Sequence, residues 1–137
     1  MGDKFRVIIA GGRDFEDFRF LSKKCMEKLQ NKTDVIVVSG GAKGADQLGE
    51  KFANFMGYDI KVFPANWEVG PIAGILRNRE MAEYADALIA FWDGKSKGTK
   101  NMIEEAEKRN LKVVVYNYEI TKEDDDNEED KPWFLKS

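Results

Sequence analysis

The chain has no histidine and a single cysteine among its 137 residues. Without imidazole, Ser-His-Asp and Cys-His nucleophilic machinery is excluded, and so is the usual proton shuttle near neutral pH. A zinc centre would have to be built from carboxylates and one thiolate, and a lone cysteine forms no internal disulfide, so no metal is expected and no cofactor is required. No apolar run approaches the roughly 18 residues of a membrane span. Asp3, Lys4 and Arg6 are not followed by an export-length apolar region. A cytoplasmic protein with no membrane partner is expected. Any catalysis is left to carboxylates, lysine, tyrosine or bound water.

Charge of one sign is also scarce in the body of the chain. The formal net charge is −3, but residues 121–137 carry three lysines against seven carboxylates, leaving about +1 for everything before them. A dedicated nucleic-acid binder shows a strong basic face, so nucleic acid is not the expected partner. At this length one core is expected, burying about two-thirds of the unfolded surface. Residues 1–120 read as the domain. Residues 121–137 read as an acidic flexible tail ending in Pro132-Trp133-Phe134-Leu135, an aromatic terminus expected to dock on its own subunit or on a neighbour in a homo-oligomer.

What is present is glycine placed after strands. Val35-Ile36-Val37-Val38 runs into Ser39-Gly40-Gly41-Ala42-Lys43-Gly44-Ala45-Asp46, and an amphipathic segment follows. Strand, glycine loop and helix N-terminus together form the geometry of an anion site, although this spacing is neither GxxxxGK[ST] nor GxGxxG. The pattern recurs at Gly11-Gly12-Arg13 after Phe5–Ala10 and at Asp93–Thr99 after Ala87–Trp92. In an open parallel sheet all such loops share one edge, so loops 11–14, 40–46, 77–80 and 93–99 are expected to line one cleft.

Short continuous apolar runs alternate with helix-period segments, as when helices cover both faces of a parallel sheet. Strands are expected near 5–10, 35–39, 59–63, 86–91 and 111–116, and helices near 16–30, 45–57, 72–84 and 99–110. The expected fold is an α/β, Rossmann-like three-layer sandwich with a five-stranded parallel sheet in order 3-2-1-4-5. Phe18, Leu21, Cys25 and Leu29 form the buried stripe of the first helix, so Cys25 reads as core rather than as a reactive thiol. Ala45, Leu48, Phe52 and Phe55 form that of the second. Gly57, Asn31 and Asn110 read as helix stops, and Thr99 as the N-cap of the last helix.

These motifs, with Trp67, Gly70-Pro71 and Arg77-Asn78-Arg79-Glu80-Met81, stand in an order that resembles the YspA-like branch of the SLOG superfamily over about residues 5–115. The resemblance implies a Rossmann-like fold that binds a nucleotide or nucleotide-derived ligand. The same superfamily holds the DNA-processing protein A domain and the Lonely Guy phosphoribohydrolases. In that hydrolase branch a Gly-Gly-x-Gly-Thr-x-x-Glu loop carries a working glutamate. Here Met102 stands at that position, and Glu104 and Glu105 follow more than half a helical turn away.

The expected ligand contacts are Gly11, Gly12, Arg13, Ser39, Gly40, Gly41, Lys43, Gly44, Gly98 and Thr99 for phosphate, with Arg79 as a bidentate partner. Asp46 suits ribose hydroxyls or simply complements the helix dipole. Asn78 suits a base edge, and Trp67 either stacks on a base or caps the core. Arg13 contacts phosphate or pairs with Asp14 or Asp17. Asp93 joins the ligand contacts, and Asp93, Glu80 and Asp46 are the carboxylates able to activate water. The leading reading is a sensor, sequestering or accessory protein for an ADP-ribose-like or NAD-derived small molecule. The alternatives are a phosphoribohydrolase-like enzyme cleaving an N-glycosidic bond, or a single-stranded-DNA-binding accessory protein.

Overall fold

The computed structural model describes residues 4–119. The acidic tail and aromatic terminus expected at 121–137 lie outside the described residues. Five strands, β1 (Phe5–Gly11), β2 (Val35–Ser39), β3 (Asp59–Val62), β4 (Ala87–Trp92) and β5 (Lys112–Asn117), form one all-parallel sheet in the order β3-β2-β1-β4-β5. Between them run α1 (Phe18–Leu29), α2 (Ala45–Met56), α3 (Ala73–Tyr84) and α4 (Lys97–Lys108). The Rossmann-like architecture and the strand order agree with the reading of the sequence.

The continuous apolar strands are explained by burial on both faces. Val7 and Ile9 of β1 pack with Leu21, Cys25 and Phe52 under α1 and α2. Their alternates, Ile8 and Ala10, pack with Met81, Met102 and Ala106 under α3 and α4. Cys25 sits in the first of these cores, where desolvation pushes its thiol up to about 12. That position is inert packing, in keeping with the buried stripe.

Boundaries differ in instructive places. The first helix starts at Phe18 rather than near 16, because the Asp17 side chain accepts from Phe20 N at 3.1 Å and caps it. The last helix starts at Lys97, with Ser96 as its cap, so Thr99 lies inside the first turn and is buried. Phe55, expected in the core, is 74% exposed. At roughly 100° per residue it falls well off the line drawn by Ala45, Gly49, Phe52 and Ala53, which is the face that meets the sheet. Gly57 closes α2 in the left-handed region at φ 78°, and Asn110 does the same beyond α4 at φ 60°. Asn31 does not: α1 ends through Gln30 in ordinary helical geometry. The 3-10 turn Trp67–Val69 was not expected; Asn66 caps it by accepting from Glu68 N at 3.2 Å.

Candidate functional site

The sheet's chain direction reverses its lateral order at β1. Two crossovers move outward through β2 to β3, and the chain then returns to β4 on the other side of β1. Ligand clefts of open α/β sheets open at the carboxyl edge at such a point. A cleft of about 500 Å³ lies there. Its walls are the loop Gly11–Asp14 after β1, Asp93 and Ser96 after β4, and the first turn of α4 at Gly98 and Thr99. Trp67 and one face of α3 complete it.

The glycine loop after β2, the most conspicuous signal in the sequence, contributes only Ala42 and Asp46 to this wall. Its own N–H groups explain why. Ala42 N donates to Asp46 Oδ2 at 3.2 Å, Gly41 N to Ser39 Oγ at 3.0 Å, and Ala45 N to the Gly12 carbonyl at 3.1 Å. Ser39 is buried, and its hydroxyl donates to Glu50 Oε2 at 2.6 Å. Three of the loop's N–H groups are thus taken by acceptors within the protein, one of them the Asp46 carboxylate. Gly44 is needed for its closure: φ is 85°, and a Cβ would lie 2.3 Å from the Gly12 carbonyl oxygen. Lys43 is exposed, and Ser39, Gly40, Gly41, Lys43 and Gly44 all lie off the cleft wall.

Asp46 is 6% exposed. Burial pushes its carboxyl up to about 6, against the pull of the Ala42 N–H and the Arg77 charge, while Glu50 adds to the rise. Arg77 is the cation that the sequence reading passed over in favour of Arg79. Its Nη1 donates to the Gly40 carbonyl at 2.6 Å, tying α3 to the glycine loop. Gly74, Arg77, Asn78 and Met81 recur at the one-face spacing of a helix and all line the cleft. That periodicity was the available signal. Arg79 and Glu80 fall on other faces and lie outside the cleft. Arg79 pairs with Glu105 at 3.8 Å, and Glu80 is exposed.

Asn78 is buried and already engaged. Its amide donates to Asn101 Oδ1 at 2.9 Å and to the Gly98 carbonyl at 3.3 Å, and its Oδ1 accepts from Arg77 Nε. It docks α3 onto the start of α4. Asp93 accepts from the backbone N–H groups of Lys95 and Ser96, both at 2.8 Å, and these bonds hold its carboxyl below the usual range. Such a carboxylate organises the turn and is a poor proton acceptor near pH 7. Arg13 is exposed on the cleft wall, and the partners first considered for it are otherwise used. Asp17 caps α1, and Asp14 accepts from the Tyr118 hydroxyl at 3.0 Å. Trp67 is 56% exposed, borders the cleft and lies 3.4 Å from where a Gly74 Cβ would be. It does not cap the core. The first turn of α4 borders the cleft through Gly98 and Thr99, and its Lys97 and Gly98 N–H groups precede the first i→i−4 bond, from Lys100 N to the Ser96 carbonyl at 3.1 Å.

The model of the YspA, cpYpsA-related SLOG family matches residues 5–70, from β1 through the 3-10 turn. The chain is also similar to the Gene 61 protein of Mycobacterium phage D29, at 35% identity over 119 residues, covering 81% of this chain and 95% of that protein. The chain belongs to the YspA, cpYpsA-related SLOG family. In this SLOG chain the position that carries glutamate in the hydrolase pattern is Met102, which does line the cleft. Its thioether is buried. Among the described residues no helix is long and apolar enough to cross a membrane.

Proposed function

We propose that the cleft binds a nucleotide or nucleotide-derived small molecule of the ADP-ribose or NAD class, without turning it over. The observation that carries this reading is the convergence of the first turn of α4 at Gly98 and Thr99, two arginines, Arg13 and Arg77, and the Trp67 ring on one cleft at the switch point. The α4 turn and the Arg13 guanidinium suit phosphate oxygens, and the indole offers a stacking face for a base. The family is consistent with a nucleotide-related role. Met102 at the hydrolase glutamate position and the hydrogen-bonded Asp93 favour binding over catalysis. Titration calorimetry with AMP, ADP-ribose and NAD tests this, with chromatography of the mixtures after incubation. Binding of at least one without release of base or ribose phosphate is expected; no heat with all three would overturn the reading.

A second reading, hydrolysis of an N-glycosidic bond, draws on one observation: Asp46, on the cleft wall, titrates near 6, where a carboxylate can exchange protons at neutral pH. Base released from AMP by the native chain and lost in Asp46→Asn would establish it.

A further inference from the structure

Helix α3 is apolar on two sides. At roughly 100° per residue, Gly74, Arg77, Asn78 and Met81 share the side that lines the cleft, while Ile72, Ile75 and Leu76 share the opposite one. A helix covering a sheet keeps one apolar stripe for the core and turns a polar face outward. Here three large aliphatic side chains occupy the outward face where the helix begins, and the 3-10 turn packed against that end adds Trp67 and Val69. All five are between 39% and 56% exposed. Met26 and Phe55, by contrast, are single exposed apolar side chains on α1 and α2.

Five side chains exposed to that degree leave roughly 500 Å² of apolar surface on each chain, at the upper end of what a monomer carries as its largest patch. A stable two-fold interface covers about 800 Å² per partner, and about two-thirds of it is apolar in homodimers, which again comes to roughly 500 Å². The face thus has the extent of a homodimer core.

Its two ends carry opposite charges. Glu68, exposed, lies in the 3-10 turn before α3, and the exposed Arg79 follows Ile72, Ile75 and Leu76 along the same line of the helix. Arg79 has donors to spare. It approaches Glu105 only to 3.8 Å, and Glu105 already accepts from Arg109 at 2.6 Å and has Lys108 at 3.7 Å. A surface with an apolar middle and opposite charges at its ends complements itself when a two-fold axis turns it end for end. That property favours a second copy of this chain over an unrelated partner.

We infer that two copies of this chain associate about a two-fold axis at Ile75 and Leu76, with the α3 helices antiparallel, Val69, Ile72, Ile75 and Leu76 in the contact, and Glu68 of each copy toward Arg79 of the other. The contact lies on the side of α3 away from the cleft, with Trp67 at the edge between the two.

Sedimentation velocity on the full chain reads the association directly, and a dimer of twice 15.6 kDa is expected at micromolar concentration. Leu76→Arg should raise the dissociation constant at least tenfold with unchanged circular dichroism, whereas Phe55→Arg, at a more exposed site, should leave it alone. A residue beside a two-fold axis meets its own copy. Leu76→Cys with oxidised glutathione should therefore give a covalent dimer at least tenfold faster than Phe55→Cys; the native Cys25 is buried and stays in place. At low salt Arg79→Glu should weaken the dimer about tenfold, and adding Glu68→Lys should restore it. A monomer at every concentration would overturn the dimer, whether other residues of the chain or a different protein then covered the face. So would association that survives Leu76→Arg or is lost with Phe55→Arg, equal cross-linking rates, or a charge exchange that restores nothing.

Discussion

Asp46→Asn isolates the buried anion that fills the glycine loop. The carboxyl titrates near 6 in the folded protein against 3.8 ordinarily. A folded value above the unfolded one means that the native state holds the proton more tightly. Stability therefore falls as pH rises from about 4 to about 6 and stays reduced above that. Two units correspond to about 3 kcal/mol. Asparagine keeps an oxygen for the Ala42 N–H and carries no charge to desolvate. At pH 7.5 the variant should therefore be more stable by up to about 3 kcal/mol, a rise of roughly 10 °C in Tm for a chain of this size. At pH 4 the two proteins should melt together. Thermal melts followed by circular dichroism from pH 4 to pH 8 measure both. A variant that melts lower at pH 7.5 would refute the reasoning, because the attraction of Arg77 and the loop N–H groups for the charge would then exceed its cost of burial.

Gly44→Ala should lower stability by on the order of 3 kcal/mol or more, because its Cβ meets the Gly12 carbonyl at a backbone angle that alanine resists; a melting temperature within a degree of native would contradict the loop closure described. Arg13→Ala and Thr99→Val should each weaken ADP-ribose binding about tenfold or more in calorimetry with unchanged melting, whereas Arg79→Ala should leave affinity alone. Cys25 should react with a thiol reagent only on unfolding, so labelling of the native protein at the rate of a free thiol would refute its burial. Phe55→Ser should change stability by less than about 0.5 kcal/mol, as for other exposed sites.

The sheet could be read from the sequence because each strand is a short apolar run and each connection ends in a recognisable stop. Burial on both faces leaves little room for polar alternation. Phe55 was misplaced because a stripe drawn through Ala45, Leu48 and Phe52 leaves out the arc set by Gly49 and Ala53, where a glycine is as much a part of the face as a phenylalanine. A cleft does lie at the strand ends, with Ala42 and Asp46 of the glycine loop on its wall, and the Ala42 N–H of that loop is taken by the Asp46 carboxylate. Nothing in local sequence says whether a loop's N–H groups will find an internal acceptor; that depended on Asp46 folding back over Ala42. Arg77 and Arg79 differ only in helical phase, and the phase becomes visible once Gly74 and Met81 are taken as its markers. The Asn78 contacts with Gly98 and Asn101 are long-range and left no trace in spacing.

The central place of β1 governs the order in which this protein can be assembled. Of the five described strands the earliest in the chain is the middle of the sheet, and its second neighbour, β4, is contributed by residues some 80 positions later, where Asp86 receives the backbone N–H of Arg6. A growing chain can zip β1 to β2 and β3 early, but one edge of β1 stays open until β4 has been synthesised. Non-local parallel pairing of this kind is slow and exposes strand edges meanwhile. The cleft, whose walls come from the loops after β1 and β4, is completed only with that late pairing, so a partly synthesised chain can be largely folded on one side and still have no binding site.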